Sequence, residues 1–201
     1  VLLQLAHDAS FQTYSGFARI DQFLEVVLNG FRYGAPAHHH LVFKAHPLED
    51  GRAPLAREIH RLAAALGVSD RVHFLIGGKL APLLDPAASV VTVNSTAAQQ
   101  ALWRGLPVKA FGRAIYDKPE FVSDQPVARF FAAPRKPDLA AYRSYRQYLL
   151  KTSQLRGGYY SRTGRRTLLR QVVDLMLDDE SPYDTLAVAG AAPPQQVRLI
   201  R

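Results

Sequence analysis

Residues 90–108 read VVTVNSTAAQQALWRGLPV, and their pattern sets the fold. With Ser89 before it, Val90–Val93 is a short apolar run rich in β-branched residues, and Ser89–Val93 reads as a buried strand. Asn94-Ser95-Thr96 follows, three residues that favour the start of a helix. Ala97–Arg104 then reads as that helix, Gly105 stops it, and Val108–Phe111 reads as the next strand. A strand, a short link, a helix and a second strand make a parallel βαβ unit. The link aims hydroxyls, backbone N–H groups and a helix N-terminus at one point, an arrangement that suits an anion such as phosphate. The same residues also suit simple capping, because Thr96 and Gln99 have the spacing of a capping box.

The pattern repeats upstream. Val1–Ala6, His40–Lys44 and Val72–Ile76 read as strands. Phe17–Phe31 and Pro54–Leu66 read as amphipathic helices, and Leu80–Leu84 as a short one. The predicted class is therefore α/β, a Rossmann-like parallel sheet with helices on both faces. Residues 1–116 form the predicted nucleotide-sugar-binding domain. Residues 117–186 are predicted to pack on it, as an irregular segment at Asp117–Pro137 followed by helices at Asp138–Leu150 and Arg165–Leu177. Residues 187–201, rich in Ala, Pro and Gln, are predicted to be a mobile tail.

Ligands of such sheets sit beyond the carboxyl ends of the strands. The polar and glycine-rich positions of this chain fall there: Asp8, Lys44-Ala45-His46-Pro47, Gly77-Gly78, Asn94-Ser95-Thr96 and Gly112. Lys44 supplies a point charge, and His46 can donate to phosphate. Pro47 holds His46 extended. Asp8 suits a base or a nucleophile, and equally a cap for the next turn.

Composition narrows the chemistry. The chain has 201 residues, no cysteine and a formal net charge of +8, which excludes a disulfide scaffold and thiolate catalysis and favours anionic partners. No apolar run approaches the ~20 residues of a membrane span. Starting on Val1 rather than Met, the sequence reads as a piece of a longer protein. His38-His39-His40 enter a strand and alternate faces, so they do not converge on an ion, and no metal is expected. Walker A, G-x-S-x-G and G-x-G-x-x-G patterns are missing, which argues against P-loop, hydrolase and dinucleotide sites.

The ordered set Lys44-x-His46-Pro47, Val93-Asn94-Ser95-Thr96, Ala101-Leu102-x-x-Gly105-x-Pro107-Val108 and Gly112-x-Ala114-Ile115-Tyr116-Asp117 resembles the capsular polysaccharide synthesis and export family of KpsS and KpsC. Gln4-x-x-x-Asp8-Ala9-Ser10 fits the same family. Arg129-Phe130-Phe131 and Thr152-Ser153-Gln154-Leu155-x-Gly157-x-Tyr159-Tyr160 are more similar to KpsS than to KpsC. The resemblance covers roughly residues 1–160. It implies a retaining β-Kdo glycosyltransferase of GT-B architecture, of which this chain is the C-terminal, nucleotide-binding half. It also implies CMP-Kdo as donor and no metal or other cofactor. The acceptor it implies is a phosphatidylglycerol-type lipid at the cytoplasmic face of the inner membrane, where the protein is expected to be peripheral and to work with other capsule assembly proteins, not with nucleic acid. Carried over, Asp8 is the catalytic carboxylate. His46, Pro47, Asn94, Ser95 and Thr96 hold the CMP phosphate, with Lys44 adding charge, and Gln4, Gly112 and Tyr116 are further donor contacts. Gln100 stands where KpsC-like members have Glu, so its place in the donor site departs from the pattern. Two other readings stay open: a non-catalytic module that binds an anionic lipid or polysaccharide, and a UDP-sugar enzyme on the same half-fold.

Overall fold

The computed structural model describes residues 1–49, 51, 54–159 and 161–184. The expected tail at 187–201, and Tyr160 of the KpsS-like stretch, lie outside them. The chain divides into two compact units, Val1–Tyr142 and Arg143 onward.

The first unit is a mixed α/β fold. In chain order it holds α1 (Ala9–Tyr14), α2 (Ile20–Gly34), β1 (Leu41–Lys44), α3 (Leu55–Ala65), β2 (Val72–Leu75), α4 (Ala81–Leu84), β3 (Val90–Thr92), α5 (Gln99–Trp103), β4 (Val108–Ala110) and α6 (Val127–Ala132). Helix α7 (Leu139–Thr152) begins in it and crosses its boundary. β1 pairs with β2 and β3 with β4, both in parallel. The two ladders meet at Leu2, which bridges Lys44 on one side and Thr92 on the other, again in parallel. Val122 adds a further parallel bridge to Val108. The spatial order is thus β2, β1, Leu2, β3, β4. The expected strand at Val1–Ala6 is reduced to this single bridging residue, fixed by Leu2 N–H to the Val91 carbonyl (2.9 Å) and Leu3 N–H to the Lys44 carbonyl (3.0 Å).

Alternation along the strands divides the side chains between the faces. Leu41, Phe43, Val72, Val91 and Val93 join a core with Phe23, Leu24, Val27, Leu28 and Phe31 of α2, Ile59 and Ala63 of α3, and Phe130 and Phe131 of α6. Fully burying side chains of this size stabilises the fold by about 1.5–3 kcal/mol each. Leu84, Ala101 and Leu102 of α4 and α5 are buried outside that cluster.

Two helices were not expected from the sequence. α1 is six residues long and is capped by Asp8, and α6 lies inside the stretch read as irregular. α6 packs on α2 at two glycines. A Cβ on Gly30 would lie 2.5 Å from Val127 Cγ1, and one on Gly34 would lie 1.9 Å from the Ala128 carbonyl oxygen. Glycine weakens a helix interior, yet here it admits a neighbour's backbone.

The second unit contains the rest of α7 and α8 (Arg162–Met176). Ser161 caps α8 by accepting the Gly164 N–H at 2.9 Å. Buried Gln171 closes a reciprocal pair with the Arg156 backbone, accepting its N–H at 3.1 Å and donating to its carbonyl at 2.7 Å. Gly157 has φ +111 and backbone of Gly164 where a Cβ would stand, so glycine is required there.

Candidate functional site

The residues expected at the site all belong to the first unit, most of them at or just beyond the end of a sheet segment. They divide into scaffold and available groups. Gln4 and Asn94 belong to the scaffold. Gln4 Nε2 donates to Asn94 Oδ1 at 2.7 Å, and Asn94 N–H donates back to Gln4 Oε1 at 2.9 Å. Asn94 Nδ2 also donates to the carbonyls of Ser10 (2.9 Å) and Arg113 (3.3 Å). Both side chains are buried, and their amides are engaged within the protein. Together they tie the segment after Leu2, the exit of β3 and the exit of β4 to one another.

Ser95 is an N-cap. Its Oγ accepts the Ala97 N–H at 3.3 Å, and its carbonyl accepts the Tyr116 hydroxyl at 2.6 Å. Tyr116 is fully buried, and that burial, with Asp117 and Tyr142 nearby, pushes its hydroxyl well above the usual tyrosine range. The helix expected after Ser95 is shorter than its sequence pattern. A three-residue 3-10 turn, Thr96–Ala98, leads into the five residues of α5. The cap therefore sits on Ser95 rather than Thr96, and the macrodipole is small because few peptides align. Thr96 is exposed beyond the cap. Gln100 is exposed within α5, where its carbonyl accepts Arg104 Nη1 at 3.0 Å.

On the other ladder, Lys44 ends β1. It is buried and donates from Nζ to the Ala45 carbonyl at 3.1 Å. His46 is half-buried, and its Nδ1 accepts the Leu48 N–H at 3.1 Å across the turn at exposed Pro47. A neutral imidazole that accepts at Nδ1 carries its proton at Nε2. His46 thus presents an N–H donor with no partner among the described residues. Asp8 Oδ1 accepts the Ser10 N–H at 2.7 Å as the cap of α1. That bond uses one carboxylate oxygen, so capping and chemistry at Oδ2 are compatible.

Gly112 lies against the end of α1. Its N–H donates to the Val93 carbonyl at 2.9 Å, and a Cβ there would stand 2.7 Å from the Tyr14 carbonyl oxygen. Beside it opens a cleft of about 580 Å³, lined by residues 13–16, residues 110–113 and Asp117. Of the expected site residues it contains Gly112 alone. Thr13, Tyr14, Arg113 and Asp117 were missed by sequence reasoning. The available signal was the free position in Gly112-x-Ala114, occupied by Arg113. Among the described residues, no group of three or more His, Cys, Asp or Glu is placed to hold a metal, and no helix is long and apolar enough to cross a membrane.

The first unit pairs its strands in parallel and carries a histidine, a helix-capping serine and a carboxylate beyond its sheet segments, and the chain belongs to the capsule polysaccharide biosynthesis family, matching its profile over residues 1–160. Among its relatives, the capsule polysaccharide export protein KpsS of Escherichia coli is 31% identical over 159 residues, 79% of this chain and 41% of KpsS. The capsule polysaccharide modification protein LipB of Neisseria meningitidis, serogroup A, is 32% identical over 162 residues, 80% of this chain and 39% of LipB. The serogroup B LipB matches equally. The chain thus spans about two fifths of the length of these relatives. The closeness to KpsS expected from residues 129–160 is borne out. No solved structure matches.

Proposed function

We propose that this chain is the nucleotide-binding part of a retaining β-Kdo glycosyltransferase that draws on CMP-Kdo to build the Kdo linker for capsule export. In this reading the sheet is the Rossmann-like half of a GT-B enzyme. One observation carries it: the strand order reverses at Leu2, with β1 and β2 on one side and β3 and β4 on the other. Sheets of this kind take ligands outside the carboxyl ends of the strands at such a reversal. The segment after Leu2 carries Asp8, the exit of β1 carries His46, and the exit of β3 carries Ser95 and Thr96.

A CMP-sugar has one phosphate. Nε2–H of His46 and the hydroxyls of Ser95 and Thr96 are suited to bind it, with Lys44 adding positive potential. Fixed donors that stabilise a departing phosphate need no metal, and one such donor contributes about 2.7–4 kcal/mol to lowering a barrier. Asp8, with Oδ1 held by the Ser10 N–H, offers Oδ2 as the catalytic carboxylate. The acceptor is a phosphatidylglycerol-type lipid at the cytoplasmic face of the inner membrane, and helix α8 supports that part of the reading. Arg162, Arg166, Leu169, Val173 and Met176 follow one another at helical spacing and are all exposed. A strip that is basic at one end and apolar at the other suits an anionic bilayer surface.

The decisive experiment is donor binding. CMP is expected to raise the melting temperature of the chain, and His46→Ala to abolish the rise. If CMP and CMP-Kdo both leave it unchanged, the nucleotide reading fails. A larger shift with uridine nucleotides would point instead to a UDP-sugar enzyme.

A further inference from the structure

Of the expected donor contacts only Gly112 lines the cleft, and its exposed polar side chains are not used by the proposed nucleotide contacts. Arg113 is exposed, and its guanidinium lies over the Tyr14 ring, 5.8 Å from the centroid. No carboxylate pairs with it and no carbonyl accepts from it among the described residues. The Asp117 carboxylate and the Thr13 hydroxyl are likewise without hydrogen-bond partners among them. Two aromatic residues, Tyr14 and Phe111, also line it.

The backbone below this cluster is fixed. Arg113 N–H donates to the Tyr14 carbonyl at 2.9 Å, and the Arg113 carbonyl accepts Asn94 Nδ2 at 3.3 Å. Ser15 and Gly112 form an antiparallel bridge at the same place. The guanidinium therefore projects from a pinned base, which reduces the ordering cost of a contact. Its planar fork suits a two-oxygen anion. A carboxylate and a hydroxyl in the same lining suit the hydroxyls of a sugar, and an exposed aromatic ring suits its apolar face.

We infer that this cleft is a subsite for an acidic sugar, with Arg113 receiving its anionic group and Asp117 and Thr13 its hydroxyls. The inference rests on the transferase reading for the sugar, while the anion contact itself requires no nucleotide. That anion could belong to a sugar carboxylate or to a phosphate, and the two are separable by experiment.

The 201-residue chain, with arginine labelled at Nε, is titrated separately with free Kdo, its neutral methyl ester, inorganic phosphate and CMP. Free Kdo is expected to shift the Arg113 Nε–H resonance, and the methyl ester to leave it in place. Arg113→Gln is expected to weaken Kdo binding at least tenfold at unchanged melting temperature, with Arg113→Lys recovering part of the loss. Asp117→Asn is expected to weaken Kdo without affecting phosphate. Loss of CMP affinity in Arg113→Gln, with phosphate shifting the resonance, would assign the anion to the donor phosphate and retain the subsite. If neither Kdo nor phosphate moves the resonance and Arg113→Gln binds both as wild type does, the inference is overturned. A chain that ignores CMP yet still responds to Kdo at Arg113 would sink the nucleotide reading and keep this one.

Discussion

Gln4 and Asn94 stand 90 positions apart in the chain and exchange two hydrogen bonds, of 2.7 and 2.9 Å, in the buried interior. Removing the Asn94 side chain strands Gln4 Nε2, and removing that of Gln4 strands Asn94 Oδ1 and its backbone N–H, away from water, which costs about 1–3 kcal/mol. Asn94→Ala is therefore expected to lower unfolding stability in urea by that amount. Gln4→Ala should cost a similar amount, and the double variant less than the sum, because both remove one shared interaction. Full additivity in the urea series would show that the two amides act separately.

Tyr116 gives the fold a particular alkaline response. Its hydroxyl titrates above the ordinary 10.0 because it is buried, with Asp117 and Tyr142 adding to the effect. A group with a raised folded pKa contributes stability that is complete below the unfolded value. That stability is lost as pH climbs past 10 toward the folded value, since the unfolded chain ionises first. Tyr116→Phe is expected to cost about 0.5–1.5 kcal/mol near neutrality. The gap between variant and wild type should shrink above pH 10, and a constant gap in alkaline melts would contradict it.

Gly34 meets α6 with no room for a methyl group. Gly34→Ala should gain helix propensity but force α2 and α6 apart, and overpacking of this kind costs about 1–3 kcal/mol. Gly67, whose Cβ would meet nothing, is a useful contrast. Its positive φ alone penalises Ala there, so that variant should leave near-ultraviolet circular dichroism of the aromatic core intact while Gly34→Ala alters it.

Asp8→Asn separates capping from chemistry. Asn caps a helix as well as Asp does, so the melting temperature should hold. Sugar transfer by the full-length protein should fall by at least a hundredfold. Retained transfer would favour a binding module over an enzyme.

Replacing Arg162 and Arg166 together by Gln tests the strip on α8. Flotation with phosphatidylglycerol vesicles should decline in the variant, and wild-type flotation should weaken as salt rises, because each arginine near such a surface contributes about 1 kcal/mol of screened attraction. Equal flotation of both would remove α8 from the membrane contact.

Much of this fold was legible because apolar periodicity reports burial directly. β1 to β4 and helices α2, α3, α7 and α8 all lie within a few residues of their expected places. What was hidden depends on tertiary contacts. α6 sits in a run broken by prolines and charges, and its place is set by the glycines of α2, 97 residues away in the case of Gly30 and Val127. The first strand looked six residues long because Val1–Ala6 is an apolar run, and Leu2, Leu3 and Gln4 are indeed buried, although only Leu2 joins the ladders. The candidate site was legible as a set of strand exits. Its division into scaffold and available groups was not, since Asn94 has the same sequence pattern whether its amide faces a phosphate or Gln4. Arg113 escaped notice because a lone arginine carries no periodic signal.

The bridge at Leu2 has a consequence for function. His46 rides on one ladder, and Ser95, Thr96 and Gly112 ride on the other. The two are spliced through one residue and a few hydrogen bonds, including that from Thr92 Oγ1 to the Leu2 carbonyl at 2.9 Å. The span between the two halves of the site is thus governed at this seam and not within either ladder. A substitution at Thr92 could detune ligand binding while leaving every proposed contact residue in place. Amide hydrogen exchange at Leu2 and Leu3, which are not among the proposed contact residues, becomes the natural gauge of how firmly the site is held.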